Sequence, residues 1–95
     1  MNFENAVREL VRRDCQLTLR QLGILFVCSD KPRTIKQLSG DLNSEQSLLV
    51  RSVDRLATAI DPPLVQRDKN PADSRSILVS LTYAGRNFLD EFKGV

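Results

Sequence analysis

The sequence contains no histidine and only two cysteines, Cys15 and Cys28. Without an imidazole there is no His-based general acid or base and no Ser-His-Asp triad. A zinc site built from this chain alone is excluded too, because it would need about four Cys or His ligands. No pair of carboxylates sits in an apolar context that would raise a pKa, and no nucleophile–base pair or phosphate loop is visible. Neither an enzyme nor a metal or other cofactor is expected. Long apolar runs are also missing. The longest, Leu22 to Cys28, is far too short to span a bilayer. The start, Met1-Asn2-Phe3-Glu4, lacks the basic stretch and apolar segment of a signal peptide. A cytoplasmic protein with free thiols is the expectation.

What is present fits one globular domain of 95 residues, 41% hydrophobic and 27% charged. The net charge of +2 is compatible with nucleic acid without demanding it. The placement of charge has to decide.

Along the chain, Phe3, Val7, Leu10 and Val11 recur at helical spacing. Thr18-Leu-Arg-Gln21 fits a capping box that opens a second helix, which Asp30-Lys31-Pro32 stops. Thr34-Ile-Lys-Gln37 is a second capping box, opening a short helix expected to end near Gly40. A longer helix is expected from Asn43-Ser44 to about Ala59, and two helices joined by a tight turn make helix-turn-helix grammar. After Asp61-Pro62-Pro63, the spacing predicts strands over Leu64–Arg67 and Arg75–Leu81 with a loop over Asp68–Ser74. Thr82 caps a last helix carrying Phe88, Leu89 and Phe92. The fold class expected is mainly α with a small β-hairpin: a winged helix-turn-helix, its three-helix core and β-wing flanked by short terminal helices. It divides into an N-terminal helix over 1–15, a core over 17–81 and a C-terminal helix over 82–95.

At about 100° per residue, Leu49, Val53, Leu56 and Ile60 share the core face of the long helix. Ser47, Arg51, Asp54 and Thr58 lie opposite, flanked by Ser44, Leu48 and Arg55; Gln46 falls toward the core side and is a poorer candidate, though within reach of a phosphate. Short polar groups and arginines opposite an apolar stripe suit a helix in the major groove, where Arg bonds guanine O6 and N7. Any amphipathic surface helix offers a similar pattern. The polar 68–75 segment would bring Lys69 and Arg75 to phosphates or a narrow minor groove. Asp73, two residues before Arg75, can pair with it; a surface turn with a marginal salt bridge is the plainer alternative.

Leu17-Thr18, Val53-Asp54-Arg55-Leu56, Leu64-Val65-Gln66-Arg67, Asn70-Pro71-x-Asp73-x-Arg75 and Leu81-Thr82-x-x-Gly85 together resemble the multiple-antibiotic-resistance regulator (MarR) family of winged-helix repressors. The resemblance runs from Leu17 to Phe92, and the Asp-x-Arg wing followed by Leu-Thr-x-x-Gly is its most specific part. It implies sequence-specific binding of double-stranded DNA and transcriptional regulation, as a repressor. It also implies that Asp73 orients Arg75 for the minor groove and that Lys36 or Arg33 meets backbone phosphates. The chain departs from the family in its short terminal helices and in the Asp61-Pro62-Pro63 link. The resemblance leaves room for a small-molecule effector, but no residue of this chain indicates one.

Phe3, Val7, Leu10, Val11, Phe88, Leu89 and Phe92 are the candidates for a homodimer interface, which would set two reading helices one DNA turn apart. Packing within one chain is the alternative for the same residues. Cys28, in its apolar run, reads as a core residue, and Cys15 beside Arg13 as the less favoured candidate for an oxidant sensor. The competing function is a winged helix that docks another protein and binds no DNA.

Overall fold

Thr18 and Thr34 open helices as their spacing predicts. In each case the threonine hydroxyl accepts from the backbone N–H three residues on at 3.1 Å, and that glutamine's Oε1 accepts from the threonine N–H at 2.9 Å. Two orphan donors are satisfied reciprocally at each end. The helices are α1, Leu19–Val27, and α2, Ile35–Leu42. The computed structural model describes residues 17–93, without the side chains of 92 and 93, together with Glu4 and Arg8. Glu4 and Arg8 are helical and paired at 2.6 Å. Phe3, Val7, Leu10, Val11, Cys15 and the Phe92 side chain lie outside the described residues.

The helix-turn-helix junction differs from the sequence expectation. The short helix runs past Gly40 to Leu42, and Asn43 is not the cap of the next helix but the left-handed end of this one (φ 50°). Asparagine tolerates that conformation better than most residues. The longer helix, α3, spans Gln46–Asp54 with Glu45 as its N-cap residue, and continues into a π-helical turn over Arg55–Ala59.

Beyond the Pro62-Pro63 link come β2, Val65–Asn70, and β3, Asp73–Leu81. What the sequence suggested as a long loop is instead extended backbone paired almost to its tip, with Asn70 opposite Asp73 and only Pro71-Ala72 between. A further strand, β1 (Arg33–Thr34), pairs antiparallel with β3 through Arg33↔Val79 and Thr34↔Leu78, so the sheet order is β1-β3-β2. The last helix, α4, spans Tyr83–Lys93.

Ile24, Leu25, Leu38, Leu49, Val53, Leu56, Val65, Val79 and Leu89 are fully enclosed, and one core therefore joins α1, α2, α3 and the last helix to the sheet. Phe88 and Leu89 both belong to it. Both side chains are buried within their own chain, 6% and 1% exposed.

Cys28 closes the end of α1 against β3, its thiol 3.6 Å from the Val79 carbonyl oxygen. It is free and buried, and burial pushes its pKa from 9.0 up to about 11. The thiolate that oxidants and alkylators attack is therefore suppressed. Because the folded-state pKa is the higher one, the stabilisation is complete below the unfolded value near 9 and is lost as pH rises toward 11. Urea unfolding should show stability falling between pH 8.5 and pH 11 (roughly the window these two values define), with a smaller fall in Cys28→Ala. Equal falls in parent and variant would refute this.

Candidate nucleic-acid interface

The interface is set by how α3 is fixed to the wing. Asp54, at the end of α3, accepts from Arg67 Nη1 on β2 at 3.1 Å. The Leu64 N–H donates to the Leu56 carbonyl at 3.0 Å, which ties the link back onto the helix. The Asp61-Pro62-Pro63 link thus leaves the tilt of helix against wing bounded by two contacts on either side of it.

The wing tip is built from its own polar residues. Asn70 Oδ1 accepts from the Ala72 N–H at 3.0 Å while its Nδ2 donates to Ser76 Oγ at 3.0 Å. Asp73 Oδ1 accepts from the Arg75 N–H at 3.0 Å and stands 3.6 Å from Arg75 Nε. The register shifts between Lys69 and Asn70, so Ser74, Arg75 and Ser76 stand in a bulge of the β3 ladder. Bulges re-aim side chains, and here the Arg75 side chain is 92% exposed.

Between wing and helices lies a cleft of about 460 Å³. Gln46 and Val50 of α3 form one side, Lys36 of α2 the end, and Asp73, Arg75 and Ile77 of β3 the other side. One flank of α3 and the wing arginine therefore bound one concave surface. A second cavity, of about 360 Å³, lies between the Ile60–Leu64 link and α4 and shares no lining residue with the cleft.

Of the sequence-predicted residues only Lys36, Asp73 and Arg75 line this cleft; Arg33, Ser44, Ser47, Leu48, Arg51, Arg55 and Lys69 do not. Ser47 and Arg51 are exposed on α3 and Arg55 on the π-helical turn after it, Leu48 is half-buried, and Lys36 and Lys69 are exposed. Ser44 is half-buried at the turn, where its hydroxyl accepts from Arg20 Nε at 3.1 Å. Arg33 is otherwise disposed. Its guanidinium lies 3.3 Å from Asp30 and 3.5 Å from Asp41, its side chain is only 20% exposed, and its Nε is buried. That hydrogen bond holds the Asp30 carboxyl below its ordinary range. Arg33 binds α2 to the segment before it, which leaves Lys36 the freer cation of the two offered for phosphate.

Gln46 and Val50 line the cleft although the sequence did not put them among the candidate contacts. The helical wheel puts Gln46 only about 60° from Leu49, yet Gln46 is exposed, whereas Ser52, at a similar angle on the other flank, is buried. Val50 is 51% exposed. A β-branched apolar residue on an exposed helix face was the available signal.

Among the described residues no three His, Cys, Asp or Glu side chains are grouped to hold a metal ion, and no helix is long and apolar enough to cross a membrane.

No protein-family model and no curated protein matches the sequence. Solved structures do match. A double mutant of Lactococcus lactis ZitR aligns with a TM-score of 0.72 at 22% identity, over 82% of this chain and 51% of that one. The transcriptional regulator BldR from Sulfolobus solfataricus aligns at 0.74 and 25% identity, over 93% of this chain and 69% of that one. A cysteine-to-serine mutant of E. coli MarR complexed with operator DNA aligns at 0.72 and 28% identity, over 83% of this chain and 55% of that one. The chain thus spans about half the length of the ZitR and MarR structures. Its fold is MarR-like: a winged helix, mainly helical with a small β-hairpin wing.

Proposed function

We propose that this chain binds double-stranded DNA as the reading domain of a transcriptional regulator, in the sense of a repressor, and works in the cytoplasm as a homodimer. One observation carries the reading: the α3 flank and the wing arginine line the same cleft. In this arrangement α3 enters the major groove, with Ser47 and Arg51 toward base edges and Arg55 and Leu48 on the far flank. Lys36 and Lys69 meet phosphates, and Arg75, held by Asp73, reaches the backbone or the adjacent minor groove. The match to MarR bound to its operator supports this, as do the regulators among the other neighbours. A second copy would repeat the contact one helical turn away.

Retardation of genomic duplex fragments across a salt series tests the proposal. Each phosphate neutralised adds about −0.9 to the slope of log K against log salt. With Lys36, Lys69 and Arg75 engaged, a slope on the order of −3 or steeper is expected. A slope near zero, or no retardation at low salt, would overturn the reading.

A further inference from the structure

The cleft is not uniformly polar. Val50 projects into it 51% exposed, with Ile77 of the wing 40% exposed across from it. An isolated exposed apolar side chain is ordinary on a protein surface. This one shares the cleft with Lys36 and Arg75, on a helix whose other exposed residues, Gln46, Ser47, Arg51 and Asp54, are all polar or charged. Gln46 precedes it by one turn on the same flank, and both line the cleft. Two residues four apart on a helix are about 6 Å apart along its axis, which spans about two base-pair steps of about 3.4 Å.

The geometry points to this pair as specificity residues, with Val50 reading the 5-methyl group of a thymine and Gln46 an adenine within about two base pairs of it. The inference rests on the DNA-binding reading above and deepens it. A valine has no hydrogen bond to offer any base edge, and in the major groove the thymine methyl is the apolar feature it can cover. A glutamine amide matches adenine bidentately, donating to N7 while its oxygen accepts from the N6 amino group. The cations around the cleft, Lys36 and Arg75, hold the flanking phosphates and so fix the register in which methyl and valine meet. The occupant is therefore the A·T-bearing edge of a DNA half-site, on the side of the reading helix nearest the wing.

Thymine-to-uracil substitution isolates the contact, since it removes one methyl and leaves the Watson–Crick edge intact. A duplex selected for tight binding would be remade with deoxyuridine at one thymine at a time. The parent protein should lose about fourfold in affinity at one position, the worth of one buried methyl. Val50→Ala should bind the thymine duplex correspondingly less well and show no further loss with uracil there. Gln46→Ala should relax the preference for adenine nearby by roughly tenfold or more. Both positions are exposed, and unchanged urea midpoints would confirm intact folding. If every uracil duplex binds like its thymine parent, or Val50→Ala keeps the full thymine–uracil difference, the inference is overturned while salt-dependent binding still upholds the wider reading. Absence of binding to any duplex overturns both.

Discussion

Gly85→Ala should lower stability by about 3 kcal/mol, although alanine is the better helix former by about 1 kcal/mol. Gly85 lies in the first turn of α4, and a Cβ built there would stand 1.9 Å from the Leu64 carbonyl oxygen and 2.9 Å from its carbon. Both are backbone atoms and cannot rotate away. The carbonyl is itself held, accepting from the Thr82 N–H at 3.1 Å. Thr82 is fixed in turn, its hydroxyl donating to the Pro63 carbonyl at 2.6 Å and accepting from the Gly85 N–H at 3.0 Å. Relief of the clash must pull α4 off the Leu64 segment. Overpacking of about 1–3 kcal/mol then adds to two or more lost hydrogen bonds at about 1 kcal/mol each, and the gain in propensity offsets only part. For a domain this size the expected drop in Tm is roughly 12–24 °C. Gly40→Ala is the matched control: nothing lies within 4 Å of a Cβ there, so the same exchange should be neutral or stabilise by up to about 1 kcal/mol. Thermal unfolding that finds Gly85→Ala as stable as the parent would refute the account.

The same contact gives the Leu-Thr-x-x-Gly spacing a physical meaning: the threonine caps the helix and the glycine admits the crossing carbonyl. Signals of this local kind were legible. The capping boxes at Thr18 and Thr34 involve residues three apart, and both form. The apolar positions Leu49, Val53 and Leu56 follow the helical period, and all three are buried. Distant pairings were not legible. Two residues, Arg33 and Thr34, carry no strand signal of their own and become β1 only because β3 offers an edge to them. The wing looked like a loop because Asp, Asn and Ser are poor strand formers, but ladder hydrogen bonds and the Asn70 network outweigh propensity. At the site, Asp73 and Arg75 were readable from adjacency. Arg33 was not, since its ties to Asp30 and Asp41 depend on where α2 ends. Gln46 was misjudged because periodicity fixes the centre of a buried face, whereas the packing of neighbours decides which flank is covered.

Arg75→Ala should weaken DNA binding by roughly 5- to 150-fold, the range for about 1–3 kcal/mol, with little change in unfolding free energy. The second half follows from exposure: with 92% of the side chain in solvent and a 3.6 Å approach to Asp73, the pair contributes little to the fold. The first half follows from place, because the bulge aims this guanidinium along the rim of the cleft that Gln46 and Val50 bound. Asp73→Ala separates positioning from charge. If Asp73 were merely an acidic group near a polyanion, its removal would strengthen binding and leave Arg75 as effective as before. If it holds the bulge and the Arg75 backbone N–H, as the 3.0 Å hydrogen bond indicates, its removal should weaken binding despite the favourable change in net charge. The double variant should then bind no worse than Arg75→Ala alone, because the two residues act as one unit. Titrations of one duplex with the three variants at fixed salt decide between these outcomes. Tighter binding by Asp73→Ala would show that the wing arginine needs no partner to find the groove.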